Sequence, residues 1–307
     1  MPNWKDVLSE IQRYQQIHGR EAKFAVDIIR RKYLKRFNRH TNRNIIAYYS
    51  GWLSKPDVQS DINDEDKNGF MMAVHKLDKR KGLDLILHTP GGSVSATQSI
   101  VDYLHQIFKR DIRTFVPQIA MSAGTMIACS SKEIWMGLHS NLGPIDPHLN
   151  GWPAYGVISE FKRACEEVKD EQHKIPIWQS IIRQYRPTFL SQCENAIEWS
   201  NTFVQEQLAT VMFKGQADAT EKARKAVEHL TDYTGNKSHA RHIHVDECEK
   251  ILNIKRIESD PRLQDILLTV HHCYMHALMN TNSFKMIENH LGAAFVKQAA
   301  TVMVPNQ

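Results

Sequence analysis

Two stretches repeat one grammar, an apolar run, a turn of small residues and an amphipathic run, and this repetition most constrains the fold. In the first, Leu83-Asp84-Leu85-Ile86-Leu87 has the length and apolarity of a buried strand, and Pro90-Gly91-Gly92 breaks it into a turn. Beyond the glycines, Ile100, Leu104 and Phe108 recur at helical spacing within Ser95–Phe108. In the second, Arg113-Thr114-Phe115-Val116-Pro117 reads as a strand, and Ser122-Ala123-Gly124 opens an apolar stretch through Ile127-Ala128-Cys129. This succession predicts an α/β architecture in which strands and helices alternate.

The chemistry follows from the turns. Glycine lacks a Cβ, so its backbone can approach a substrate closely, and paired N–H donors at such a turn can hold an oxyanion. The helix that begins behind the turn favours negative charge at the same place. A serine at position 122 would project from a strand-to-helix turn, and its small neighbours leave room for a peptide. The N–H of Ala123 would then be a second oxyanion donor. Taken singly, Pro-Gly-Gly is also an ordinary loop and Ser-Ala-Gly also a close helix contact. Their pairing within one α/β unit is what points to a site.

Three local motifs carry a resemblance: His88-Thr89-Pro90-Gly91-Gly92; Val116-Pro117 followed by Ala120-Met121-Ser122-Ala123-Gly124-Thr125 and Ile127-Ala128; and Leu142-Gly143-Pro144-Ile145-Asp146-Pro147. They resemble the Clp/crotonase-fold serine peptidases, and more closely the serine dehydrogenase proteinase family, relatives of signal peptide peptidase A. The resemblance is clear from Ile45 to Asn150 and weaker to Arg256, where Ala240–Cys248 with Ile251–Ile254 looks like the family's closing unit. It implies a stacked ββα superhelix with additional N- and C-terminal helices. The corresponding division is a helical extension over residues 1–40, a protease domain over 41–256 and a second helical extension over 257–307.

The resemblance also implies roles. Ser122 would attack a peptide carbonyl, Gly92 and Ala123 would stabilise the oxyanion, and Pro90, Gly91, Gly124 and Asp146 would shape the loops of the site. The base stays open, because a serine hydroxyl can lose its proton to a histidine or to a desolvated lysine. Clp-type spacing falls near His148, though out of register, whereas signal peptide peptidase relatives place a lysine where this chain has Lys174. Lys174 is preferred; His148, Lys169 and His239 are backups. The expected substrate is a peptide or unfolded protein. No cofactor is expected, and homo-oligomers are. No Gly-x-x-x-x-Gly-Lys-Ser/Thr motif occurs, so unfolding a folded substrate would need a separate unfoldase. A catalytically silent scaffold and a crotonase-like acyl-CoA enzyme are the alternatives.

Composition fits a chain with a sizeable core: 307 residues, 42% hydrophobic and 24% charged. No apolar run is long enough to span a bilayer, and Met1–Asp6 has no signal-peptide apolar region, so the expected location is cytoplasmic. Five cysteines without paired spacing argue against disulfides or a zinc ribbon, and Cys129 reads as packing. The net charge of +5 and the basic run Arg30-Arg31-Lys32 with Lys35-Arg36 read as a solvated helix face, not a nucleic-acid surface. His272 and His276 share a helical face, but apolar neighbours mark that segment as a packing helix, and no metal is expected.

Further expected elements are helices over Trp4–Tyr33, a strand at Asn44–Ser50, a helix over Asn63–Lys79 with Asp64, Glu65 and Asp66 in its first turn, and a helix over Val157–Lys169. Residues 175–187 read as a proline-bounded connection covering the cleft, and Phe189–Ala226 as long helices.

Overall fold

The computed structural model describes residues 4–19, 24–232 and 238–299. Its strands are β1 (Asn44–Ser50), β2 (Leu83–His88), β3 (Ile112–Val116), β4 (Ile119–Ala120), β5 (Glu133–Met136), β6 (Asn141–Leu142), β7 (His148–Leu149), β8 (Trp152–Pro153), β9 (Ile243–His244), β10 (Ile254–Arg256), β11 (Ser283–Asn289) and β12 (Ala294–Gln298). The helices are α1 (Trp4–His18), α2 (Ala25–Thr41), α3 (Asp66–Val74), α4 (Val94–Phe108), α5 (Ala123–Cys129), α6 (Ala154–Asp170), α7 (Ile175–Ile182), α8 (Phe189–Gln207), α9 (Ala219–Thr231), α10 (Val245–Cys248) and α11 (Pro261–Asn280).

Seven strands form the central sheet in the order β10-β5-β3-β2-β1-β11-β12. The first five run parallel, and β11 and β12 close the other edge antiparallel. A parallel sheet must be covered on both faces, and strand alternation sorts the core accordingly. Ile46 and Tyr48 of β1 and Leu83, Leu85 and Leu87 of β2 pack into one cluster with α3, α4 and α5, while Ile45, Ala47, Tyr49 and Ile86 pack into a second with α2 and α11. A smaller sheet, β4-β6-β9, stands beside it and carries the chain toward the site. This is the expected α/β layering of a Clp-like fold.

Three expectations change. The helix expected from Asn63 begins only at Asp66, because Asp66 is buried and turned inward to Tyr48 and Lys285 instead of lying in a solvated first turn. The C-terminal segment holds one long helix and then the two strands β11 and β12, whose every-residue burial (β11) and hairpin pairing the helical periodicity did not expose. The basic run is not a solvated face throughout. Arg30 is buried, and its Nε donates to Glu288 of β11 at 2.6 Å, as does that of Arg31. The helix face with His272 and His276 packs on α1: the Trp4 and His276 rings lie 4.0 Å apart.

Candidate active site

The two turns meet at the ends of β2 and β4. Thr89 and Ala120 form a parallel bridge, with the Thr89 N–H donating to Ile119 O at 3.2 Å and the Met121 N–H to Thr89 O at 3.0 Å. This fixes the glycine turn against the serine turn. The contact is tight enough to exclude side chains. A Cβ on Gly91, whose φ is +102°, would sit 2.7 Å from Met121 O and 2.8 Å from Ser122 Cβ. On Gly124 it would sit 2.5 Å from Thr89 Cγ2.

Ser122 is half-buried immediately before α5, with φ 50° and ψ −117°. A non-glycine residue in that region is strained, and such strain persists only where surrounding structure over-determines it. Here the Gly124 N–H donates to Met121 O at 2.7 Å and the Met126 N–H to Ser122 O at 3.1 Å, closing the turn around the serine. The side chain is thereby presented at the start of a helix, the geometry of a nucleophile elbow.

Gly92 is held by a strap from the loop before α3. The Ile62 N–H donates to Gly91 O at 2.7 Å, and the Ser93 N–H to Ile62 O at 2.9 Å. This bridge uses both polar groups of Ile62 and the neighbours of Gly92, so the Gly92 N–H is not consumed by it. A Cβ on Gly92, φ +151°, would lie 2.4 Å from Ile62 N and O. The strap is anchored in turn by Lys285 of β11, whose buried Nζ donates to Asp61 O at 2.6 Å and to both Asp66 oxygens at 2.9 Å. Sequence reasoning passed over this lysine because nothing local distinguishes it.

Thr125 ties α5 to the next loop. Its Oγ1 lies 2.9 Å from both Ala120 O and Gly143 O and accepts from the Gly143 N–H at 3.0 Å. The loop then delivers Asp146, which is only 4% exposed. His239 Nδ1 lies 2.7 Å from Asp146 Oδ1. His148 Nε2 lies 3.4 Å from Oδ2, and the two imidazoles pack at a tilt of 40° with centroids 4.1 Å apart. Burial pushes the Asp146 carboxyl up, but the neighbouring imidazoles of His148 and His239 outweigh it and hold the group well below the usual carboxylate range.

Ser122, His148 and His239 share one cleft of about 450 Å³. Its walls include Pro90, Gly91 and Gly92 of the glycine turn together with Met126, Leu149, Ala196, Trp199 and Ser200. Lys174 and Lys169 do not line it. Lys174 Nζ is 2.7 Å from Glu171 and 3.4 Å from Glu167, and its hydrogen bond to Glu171 raises its pKa, the direction opposite to that of a lysine base. The proline-bounded segment after it folds as α7 and docks on α6 through Trp178 Nε1 and Glu167, 3.2 Å apart, so α8 covers the cleft instead. Trp199 is set there by a 2.8 Å hydrogen bond from its Nε1 to Gln98. No sequence spacing linked Asp146 to His239, although both were candidates.

A serine presented on a strained strand-to-helix turn, opposite a glycine turn in an α/β fold, is an arrangement found among serine hydrolases. The match to known families makes this specific: residues 20–251 fit the ClpP-like SDH-type serine proteinases, and the chain belongs to that family. An uncharacterized protein of Methanocaldococcus jannaschii is 36% identical over 111 residues, 36% of this chain and 38% of that protein. A second from the same organism is 34% identical over 110 residues, 36% of this chain and 37% of that protein. The ATP-dependent Clp protease proteolytic subunit of Streptococcus sanguinis is 49% identical over 56 residues, 18% of this chain and 28% of that protein. The chain thus spans well under half of the length of these relatives. Among the described residues, no helix is long and apolar enough to cross a membrane.

Proposed function

We propose that this chain hydrolyses peptide bonds by acyl transfer, with Ser122 as nucleophile, His239 as general base and Asp146 as its positioning partner. One observation carries the reading: Ser122, on its strained turn, shares a cleft with imidazoles held by a buried carboxylate. His239 takes the base role in preference to Lys174 because Asp146 engages its Nδ1 and leaves Nε2 to accept a proton. The Ser122 oxygen adds to the carbonyl carbon as its proton passes to Nε2. The N–H groups of Gly92 and Ala123 hold the resulting oxyanion. The imidazolium then protonates the departing amine, and water, deprotonated by the same imidazole, releases the acyl group.

In this reading the substrates are peptides or unfolded segments lying between the glycine turn and α8, and the enzyme works in the cytoplasm as a homo-oligomer, with a separate unfoldase for folded substrates. The apolar side chains of Ile175, Ile177 and Ile182, exposed on α7, offer surface for another copy to cover. Labelling by a fluorophosphonate, with mass-spectrometric mapping, tests the chemistry. The adduct is expected on Ser122 and absent in Ser122→Ala, and His239→Gln should slow labelling by about a hundredfold or more. An adduct elsewhere, or an unchanged rate in His239→Gln, would overturn the assignment of nucleophile or base respectively.

A further inference from the structure

The group of Asp146, His148 and His239 has more ligand capacity than proton transfer needs. Each offers one ligand atom, and these atoms lie within 4.8 Å of one another. Ligands of a tetrahedral zinc ion sit about 3.3 Å apart, given bonds of about 2.0–2.1 Å, so small side-chain rotations would close the set. Among the described residues Asp146 Oδ2 has no aligned hydrogen bond although the residue is 4% exposed; the His148 nitrogen is near it at 3.4 Å without the direction of a bond. A buried carboxylate oxygen without a donor is a costly arrangement, and a cation between it and the imidazoles would satisfy it. Two imidazoles and one carboxylate suit zinc and its transition-metal neighbours, not magnesium or calcium, which take all-oxygen sets.

We propose that Asp146, His148 and His239 form a transition-metal site whose occupation by Zn²⁺ reversibly shuts the peptidase site. The inhibitory half rests on the reading of Ser122 and His239 given above. On His239 the metal sits at Nδ1, the side that faces Asp146, so the neutral ring carries its proton on Nε2, where the Ser122 proton would have gone, and the serine keeps its hydrogen and does not attack. Beyond coordination the only change is that the ring proton moves from Nδ1 to Nε2; chelation reverses the shift and restores the base. The fourth position of such a site is open to the cleft, where water completes the tetrahedron.

Two arms of one experiment separate the halves. Co²⁺, displaced by Zn²⁺, is titrated into the full chain and followed by its visible absorption. Wild type and Ser122→Ala should bind one ion alike, and His148→Gln and His239→Gln should each lose the tetrahedral spectrum while keeping wild-type circular dichroism. Fluorophosphonate labelling of wild type is measured in parallel with a chelator and with stoichiometric Zn²⁺, where the rate should fall by about a hundredfold and recover on chelation. No binding by wild type, or binding retained in both histidine variants, overturns the site. Binding as expected with undiminished labelling overturns the inhibition. Normal binding with no labelling even in chelator removes the nucleophile reading and with it the switch, while the metal site stands on the absorption arm.

Discussion

His88 and His271 lie in the core beside the glycine turn, among the rings of Tyr49 and Trp52, whereas His148 and His239 stand in the cleft against Asp146. Both pairs are near the turns that make the site, and both place imidazoles in contact. The difference is a carboxylate and water. His88 is fully buried, and its ring nitrogens make no aligned hydrogen bond among the described residues. Burial pushes its pKa down to about 3, and the influence of the Ile119 backbone opposes this too weakly to matter. His271 is driven well below its ordinary value for the same reason, reinforced by repulsion from His88. These rings pack as neutral aromatics. The cleft pair is about one-third exposed and faces an ionised carboxylate.

Replacing the carboxylate would erase the distinction, and it should have the largest effect. Asp146→Asn is expected to lower turnover by about ten-thousandfold, as loss of a triad carboxylate does, with the melting temperature little changed. A comparable loss of stability in a thermal melt would instead make Asp146 a structural residue. The buried pair predicts an opposite pattern, large in stability and absent from catalysis. The unfolded chain binds a proton at His88 below about pH 6.5, and the native state does so only near pH 3, so between these values stability is lost as pH falls. The slope is about 1.4 kcal/mol per pH unit for each such imidazole. Chemical denaturation across this range should show a shallower dependence in His88→Leu; an unchanged slope would mean that His88 is protonated in the fold. The smallest expected effect is that of Lys174→Ala, whose partners are surface glutamates and whose labelling rate should match wild type. A silenced enzyme would return the base to the lysine.

How much of this was legible in the sequence depended on whether a feature was local. Both turns were readable because a glycine or serine turn announces itself within a few residues: β2 and α4 flank Gly91-Gly92, and α5 starts right after Ser122. The pairing of Asp146 with His239 was not, since the partners are 93 residues apart and neither segment has a periodicity that points to the other. Lys174 was favoured by counting residues from the serine, and counting does not know that α6 carries the chain away from the cleft to a glutamate pair. Asp66 shows the same limit. As the third acid in a row it resembles a solvated helix start, and only the arrival of Lys285 explains why it turns inward.

That lysine has a consequence in time. It belongs to β11, beyond the part of the chain that matches the family, and it secures the strap that lies along Gly91 and Gly92. During synthesis Ser122 and both glycines leave the ribosome long before β11 does. Until that strand pairs with β1, the strap lacks the lysine that ties it down against the glycine turn. A turn braced in this way receives its last support from one of the last strands to be made, however early its own residues emerge.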